Sequence, residues 1–154
     1  MGRGSDFERK LARMFSRLGY AVEQTQASND HGADLILRKR RRSIAVQAKS
    51  YGRPVGNKAV QEAFAAQAYY ETDEAWVVTD SSFTSGAMAQ AEPCGVVLVD
   101  GVELRRMRRK ARRRSWGPVV LLVLCAVLLA CAVIVPERWD AAVSFVSGAL
   151  SGQG

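Results

Sequence analysis

The chain has 154 residues, of which 48% are apolar and 24% charged, and its formal net charge is +7. This length suits one domain with an accessory segment, and the apolar content argues against long intrinsic disorder. Residues 1–104 hold 13 basic and 13 acidic side chains, whereas residues 105–114 hold eight basic side chains and no acidic one. The excess charge is one short run, which excludes a protein that is basic over its whole surface.

The first predicted element is a helix over residues 5–18, where apolar side chains recur at helical spacing. Ser5 and Glu8 have the spacing of a capping box, and Gly19 is a typical residue after a helix end. A capping role would explain Glu8 without any part in chemistry, and this alternative stays open.

Three strands follow, and we expect them to form an antiparallel meander. A polar turn and a basic turn separate them, so that the series reads strand 20–25, turn 26–32, strand 33–37, turn 38–42 and strand 43–50. Side chains alternate between the two faces of a strand. Gln47 and Lys49 should therefore be neighbours on one face of the third strand.

A helix followed by a strand is then predicted twice. The elements are a helix over 57–70, a strand over 75–79, a helix over 84–91 and a strand over 96–99. Strands that each follow a helix usually add in parallel to a sheet. The order αβββαβαβ therefore predicts an α/β fold with a mixed central sheet between helices.

An uninterrupted apolar run lies near the C-terminus. Residues 119–135 are 17 apolar residues in a row, with Pro118 before them and Pro136 after them. As a helix, Trp116 to Trp139 would extend about 34 Å, close to the roughly 30 Å thickness of a bilayer core. We predict one transmembrane helix over 116–136. A buried core helix is the alternative, although such helices normally keep a polar stripe.

Charge asymmetry around this run predicts its orientation. Eight basic side chains precede it, and Arg138 is the single basic residue after it. The positive-inside rule predicts a single-pass protein of the cell membrane, with a cytoplasmic N-terminal domain and a short non-cytoplasmic tail over 137–154. The run from Arg105 to Arg114 is predicted to lie in a juxtamembrane linker over 105–115 and to contact anionic lipids. Nucleic-acid phosphate is the alternative ligand for this run.

Chemistry-bearing residues cluster around the predicted hairpin. Closing the chain over residues 38–42 brings Asp34 beside Gln47 and Lys49, and Glu8 can approach from the first helix. Carboxylate, amide and carbonyl oxygens are hard ligands that suit Mg²⁺. Hydrolysis of a phosphodiester needs positive charge at the phosphate and a positioned water, and Lys49 supplies such a charge.

This ordered set resembles the Mrr-type restriction endonuclease catalytic domain, which belongs to the PD-(D/E)xK nuclease fold. The resemblance runs from about residue 7 to residue 104 and implies a restriction-endonuclease-like three-layer sandwich. Ala33 stands before Asp34, where the motif normally has proline. The segments that carry the resemblance are Phe7-Glu8, Leu18-Gly19-Tyr20, Gly32-Ala33-Asp34-Leu35, Val46-Gln47-Ala48-Lys49, Val77-Val78-Thr79 and Val99-Asp100-Gly101.

The resemblance implies a nuclease domain over 1–104 that cleaves DNA with Mg²⁺. Asp34, Gln47 and the backbone carbonyl of Ala48 would then be metal ligands, with Gln47 in place of the usual second acidic ligand. Lys49 would position the attacking water, and Glu8 would assist from the first helix. The catalytic set is therefore Glu8, Asp34, Gln47 and Lys49.

The remaining predictions concern the partners and the role of the protein. Cleavage of both DNA strands favours a homodimer, and the expected role is restriction of foreign DNA or DNA processing. Two alternatives stay open, a catalytically weak module of the nuclease fold that tethers nucleic acid to the membrane, and a membrane scaffold. The predicted DNA contacts are Arg38, Arg40, Arg53 and Gln61.

Overall fold

The computed structural model describes the backbone of residues 3–25 and 32–150, and side chains over 4–25, 32–114, 117 and 121–130. Residues 26–31 of the predicted polar turn lie outside the described residues. The chain divides into two compact units, Met1–Arg114 and Ser115–Gly154. The nuclease-like elements all lie in the first unit.

Helices and strands follow the predicted order. The bounds are α1 Arg3–Arg17, β1 Ala21–Gln24, β2 Leu35–Lys39, β3 Arg42–Lys49, α2 Asn57–Tyr69, β4 Glu74–Thr79, α3 Ser85–Cys94, β5 Val96–Val99 and α4 Gly101–Leu150. The order αβββαβαβ is thus confirmed, and α4 follows it.

The five strands form one mixed sheet in the order β1-β2-β3-β4-β5. The first three strands pair antiparallel, whereas β4 and β5 add in parallel. Leu35 lies opposite Val46, and Gln47 lies opposite Val77. The predicted meander with two parallel additions is confirmed.

Helices cover both faces of the sheet. One core joins α1 and the start of α4 to the sheet through residues such as Leu11, Phe15 and Leu104. The other core joins α2 and α3 to the opposite face, where Val60, Ala63 and similar small side chains allow close packing. The first unit is therefore a three-layer α/β sandwich.

The N-terminal helix differs from its prediction at one end. It begins at Arg3, so Ser5 lies inside the first turn rather than before it. The predicted capping box is therefore wrong in position. The other end is as predicted, because Gly19 has φ 86° and its N–H donates to the Ser16 carbonyl at 2.9 Å. Such a positive φ favours glycine after a helix.

The predicted basic turn is shorter than expected. Arg38 and Lys39 belong to β2 and Arg42 begins β3, so only Arg40 and Arg41 connect the strands. Lys39 pairs with Arg42 in the ladder, and Arg40 takes φ 57°. The two strands are longer than predicted because backbone groups pair between strands whatever the charge of the side chains.

Residues 105–115 are helical, where the sequence predicts a linker. Leu104 and Ala111 are buried, and Met107 packs against the same core. These three positions share one helix face, which the intervening arginines obscure in the sequence. Asp100 caps this helix, because its Oδ1 accepts from the backbone N–H of Val102 and of Glu103 at 2.9 and 2.8 Å.

Within the part of the chain that the structure describes, no helix combines the length and the apolar character needed to cross a membrane. The predicted span over 116–136 falls partly on residues whose side chains are outside the described set. The same holds for the side chains of the predicted tail over 137–154.

Candidate active site

The predicted site residues meet at one end of the sheet, where β2 begins and β3 ends. Asp34 comes directly before β2, and its backbone N–H donates to the Val46 carbonyl at 2.8 Å. Lys49 is the last residue of β3. Because β2 and β3 are antiparallel, the start of one lies beside the end of the other.

Two hydrogen bonds orient the Asp34 carboxylate. Its Oδ2 accepts from Gln47 Nε2 at 2.7 Å and from the Ala48 backbone N–H at 2.7 Å. Gln47 is 5% exposed, so this donor is fixed inside the fold, whereas Asp34 is partly exposed. Hydrogen bonds to an ionised acceptor are stronger than those between neutral groups.

These bonds also determine which atoms of Gln47 and Ala48 are oriented to bind a metal. The amide nitrogen of Gln47 faces Asp34, so this side chain acts here as a donor to the carboxylate, and its oxygen is the atom suited to a metal. The N–H and C=O of one strand residue point to the same side. The Ala48 carbonyl therefore faces the side on which its N–H meets Asp34.

Lys49 pairs with a residue that the sequence analysis missed. Its Nζ lies 2.8 Å from Glu62 Oε2 on α2, and the Lys49 and Glu62 side chains are only 19% and 27% exposed. Burial lowers the pKa of Lys49, but the hydrogen bond and charge of Glu62 outweigh it, so this pKa lies above its ordinary value. Lys49 therefore remains a cation at neutral pH and can donate hydrogen bonds, but it is no base there.

The sequence gives only a weak indication that Glu62 belongs to the site. It follows the predicted DNA contact Gln61, and it lies four residues after Lys58, whose Nζ is 3.8 Å from Glu62 Oε1. It also borders the buried stripe of α2 that includes Ala59 and Ala63. Such a position identifies a helix edge, but not the strand residue that the edge faces.

A glycine brings the strand start against this helix. Gly32 has φ 77°, and a Cβ at this position would stand 2.3 Å from the Glu62 carbonyl oxygen. Only a residue without a side chain fits both the backbone conformation and the contact. Gly32 thus lets the segment that leads to Asp34 pack directly on α2.

Glu8 reaches the same end of the sheet from α1. Its side chain is partly buried, and burial raises its pKa above the ordinary value. The negative charge of Asp34 raises this pKa further, whereas Lys49 lowers it. The structure therefore brings Glu8 into the electrostatic field of Asp34 and Lys49.

The structure does not bring all four predicted DNA contacts to the same end of the sheet. Arg53 lines a cavity of about 390 Å³ beside Lys49, together with Tyr51 and Lys58. Gln61 is exposed on α2.

Arg38 and Arg40 lie towards the other end of the hairpin. Arg38 pairs with Ser43, which lies four residues before Gln47 on β3, a distance of roughly 13 Å along the strand. Arg40 is farther still, in the turn. The structure thus separates these two arginines from the residues around Lys49.

The donor chemistry of the site fits a hard divalent cation. No group of three or more His, Cys, Asp or Glu side chains in the described ranges is placed to hold a metal. Two carboxylates, Glu8 and Asp34, nevertheless act on one another, and the Ala48 carbonyl and Gln47 amide add neutral oxygens. The pKa of Glu8 is raised first by burial and then by the charge of Asp34, and a cation with several water ligands would offset that charge.

Comparison with known families gives a direct result. A family model described as a restriction endonuclease, Mrr_cat, matches residues 2–108. The chain belongs to the Mrr catalytic family of restriction endonucleases. This membership confirms the resemblance that the sequence motifs indicate. No curated protein matches the chain significantly.

Solved structures share the fold of this Mrr-type domain. The DNA modification-dependent restriction endonuclease AspBHI is 22% identical over 71% of this chain, with a TM-score of 0.58. MspJI restriction endonuclease, solved in complex with a 27-mer oligonucleotide, is 20% identical over 75% of this chain, with a TM-score of 0.51. A protein of unknown function, AF1548, is 16% identical over 60% of this chain, with a TM-score of 0.52. The chain covers 32%, 29% and 55% of these three proteins, respectively.

Proposed function

We propose that the Mrr-type domain is an endonuclease that hydrolyses DNA phosphodiester bonds with Mg²⁺. The observation that carries this proposal is the meeting of Asp34, Gln47, Ala48 and Lys49 at one end of the sheet, with Glu8 beside them. Family membership supports the same chemistry. A bound Mg²⁺ would supply Lewis-acid stabilisation of the charge that develops on the phosphate.

The residues of this chain have distinct tasks in that reaction. Asp34 and the Ala48 carbonyl would hold the cation, and the donors on Asp34 fix the carboxylate in one orientation. The Gln47 oxygen is a further ligand, as the resemblance implies. Such preorganisation lowers the barrier because the groups need not reorient during the reaction.

Lys49 and Glu8 would act on the attacking water. The Lys49 ammonium, held by Glu62, donates a hydrogen bond to this water or to a phosphate oxygen. Burial raises the pKa of Glu8, which makes its carboxylate a stronger proton acceptor than that of an ordinary glutamate. Water attack on phosphorus then breaks one ester bond, and the leaving oxygen takes up a proton.

DNA is the proposed substrate, and restriction of foreign DNA the proposed role. AspBHI is a DNA modification-dependent enzyme by name, and MspJI was solved with an oligonucleotide. Arg53 lines the cavity beside Lys49, where it can contact the DNA backbone, and Gln61 lies on the adjoining helix. A homodimer would provide one site for each strand of a duplex.

We also propose that residues 116–136 anchor the chain in the cell membrane, with the nuclease domain on the cytoplasmic side. The support is the apolar run over 119–135, together with the exposure of every residue from Leu121 to Ala130. Ten successive exposed apolar residues cover the whole circumference of a helix. Water does not favour such a surface, whereas lipid does.

Plasmid cleavage tests the nuclease. The full chain in nanodiscs is incubated with supercoiled plasmid and Mg²⁺, and the nicked product is measured. We expect EDTA to abolish nicking and Asp34→Asn or Lys49→Ala to reduce it by at least about 100-fold. Lys10→Ala, at an exposed position of α1, is the control that should keep full activity.

The same assay distinguishes the alternative function. If the chain binds DNA with a salt-dependent affinity, but neither the parent nor any variant nicks plasmid, the tethering module is the better interpretation. Nicking that persists in EDTA or in Asp34→Asn would contradict the proposed site.

A further inference from the structure

Exposed cations collect at the end of the sheet that lies opposite the active site. This surface, here the basic end, takes residues from α1, from the β2–β3 hairpin and from α4. Its exposed members are Arg17, Arg38, Arg40, Arg41, Arg112, Arg113 and Arg114, and the partly buried Lys39 lies among them.

Contacts bring these three elements together. The Lys39 ammonium donates to the Leu18 carbonyl at 2.8 Å, which joins the hairpin to the end of α1. A Cβ on Gly19 would stand 3.2 Å from Arg114 Nη2 and 3.8 Å from Lys39 Nζ. The hairpin, α1 and α4 therefore present their charges side by side.

Two of the acidic groups at this end are already engaged. Asp73 accepts from the Ser43 N–H and hydroxyl, both at 2.7 Å, and Glu74 pairs with Arg42. These bonds hold the pKa of both carboxyls below the ordinary value, so both are ionised. Glu71 and Glu23 are exposed nearby, on the turn before β4 and on β1.

The arginines of the hairpin tip remain as excess charge. No ion pair within the described ranges includes Arg38, Arg40 or Arg41. Arg42 differs, because Glu74 neutralises it. The basic end therefore presents more positive than negative charge to solvent.

In the sequence, this surface is followed directly by the proposed anchor. Val119 begins the apolar run only five residues after Arg114. The active site lies at the other end of β3, because Arg42 and Lys49 are seven residues or roughly 23 Å apart. The proposed anchor is therefore connected in sequence to the basic end rather than to the active site.

We propose that the basic end binds the anionic headgroups of the membrane in which residues 116–136 insert, and so directs the active site away from the lipid. This inference rests on the anchor proposed above. Clustered arginines attract anionic lipid surfaces within about one Debye length. Arg38 and Arg40 are thereby assigned to lipid rather than to DNA.

Fluorescence quenching by nitroxide-labelled headgroups tests this contact. The full chain, with serine at its three cysteines, carries one dye at Ala21→Cys or at Ser85→Cys. Ala21 is exposed and pairs with Arg38 at the basic end, whereas Ser85 is exposed and begins α3. In nanodiscs with 30% anionic lipid, we expect at least threefold stronger quenching at position 21 than at position 85.

Three controls make the result specific. Neutral nanodiscs, 0.5 M NaCl and the variant R38Q/R40Q/R41Q should each reduce the quenching at position 21 to that at position 85. The matched variant K10Q/R13Q/R105Q removes three exposed charges elsewhere on the domain and should keep the difference. Its DNA affinity, like that of R38Q/R40Q/R41Q, should equal that of the parent within about twofold.

Three results would contradict the proposed lipid contact, and each has a different meaning. Equal quenching at positions 21 and 85 in a chain that stays with vesicles after a carbonate wash would leave the anchor and refute the lipid contact. Loss of the chain from vesicles in that wash would refute the anchor and the inference together. A tenfold loss of DNA affinity in R38Q/R40Q/R41Q alone would assign the hairpin to DNA.

Discussion

The two ends of the sheet hold basic side chains in different settings. At the active site, Lys49 is mostly buried and lies 2.8 Å from Glu62. At the basic end, Arg40 and Arg41 are exposed on a two-residue turn. A partly buried ion pair holds a cation at a defined point, as chemistry requires, whereas exposed arginines produce a broad field that suits a surface.

The largest effect is expected from a substitution that disturbs the backbone beside the active site. Gly32→Ala places a Cβ 2.3 Å from the Glu62 carbonyl oxygen at a residue with φ 77°. We expect the free energy of unfolding to fall by about 3 kcal/mol and plasmid nicking to be lost. Urea denaturation followed by circular dichroism measures the stability.

Gly52→Ala is the matched control, because a Cβ at Gly52 meets no atom within 4 Å. It should leave stability and nicking close to those of the parent. Equal stability of the two variants would show that Gly32 does not tie the strand start to α2.

The second prediction tests whether Glu62 positions Lys49. Glu62→Gln removes the charge that raises the Lys49 pKa but leaves the burial that lowers it. Nicking should fall about tenfold, and its alkaline decline should begin at a lower pH, because the ammonium loses its proton earlier. The pH profile of the nicking rate measures both effects.

Glu92→Gln, at an exposed position of α3, should preserve the profile. An alkaline decline that does not move in Glu62→Gln would mean that Lys49 ionisation does not limit the reaction.

The third prediction perturbs only the basic end. The Lys39 ammonium bonds to the Leu18 carbonyl at 2.8 Å and lies 4.6 Å from the centre of the Tyr20 ring. Lys39→Met should cost about 1 kcal/mol of stability without changing the rate of plasmid nicking. Arg41→Met, at the exposed turn, should change neither quantity. A loss of nicking in Lys39→Met beyond its loss of folded protein would show that the two ends are coupled.

The smallest effect on stability is expected from a substitution at Glu8. Burial raises the pKa of Glu8 in the folded protein above its ordinary value of 4.5, so the folded state disfavours the carboxylate. This penalty is absent at low pH and develops as pH rises through the raised pKa. Glu8→Gln should therefore be slightly more stable than the parent at neutral pH, and the gain should vanish in acid.

Nicking should decline in acid at a higher pH than an ordinary Glu would cause, because Glu8 must be ionised to accept a proton. Glu8→Gln should be slower and should lack this acid-dependent step. Thermal unfolding and nicking, each measured from pH 4 to pH 8, follow the two effects in one series. A parent-like acid decline in Glu8→Gln would exclude Glu8 as the titrating group.

Short-range patterns predicted most of the fold. Gly19 ends α1 as expected, and alternation in β3 places Gln47 and Lys49 on the face that α2 covers. The predicted hairpin also brings Asp34 to Gln47, because antiparallel pairing follows from a short connection. The helical register of Leu104, Met107 and Ala111 was missed, since neighbouring arginines suggest a linker.

The sequence by itself therefore determined the order of the elements and the identity of the groups that converge from adjacent strands. Periodicity and turns act over a few residues, and they are readable without a structure. Only the tertiary structure paired Lys49 with Glu62 and separated Arg38 from the active site. Such relations depend on how helices pack across a sheet and on which end of a strand a residue occupies, and local sequence patterns do not encode either one.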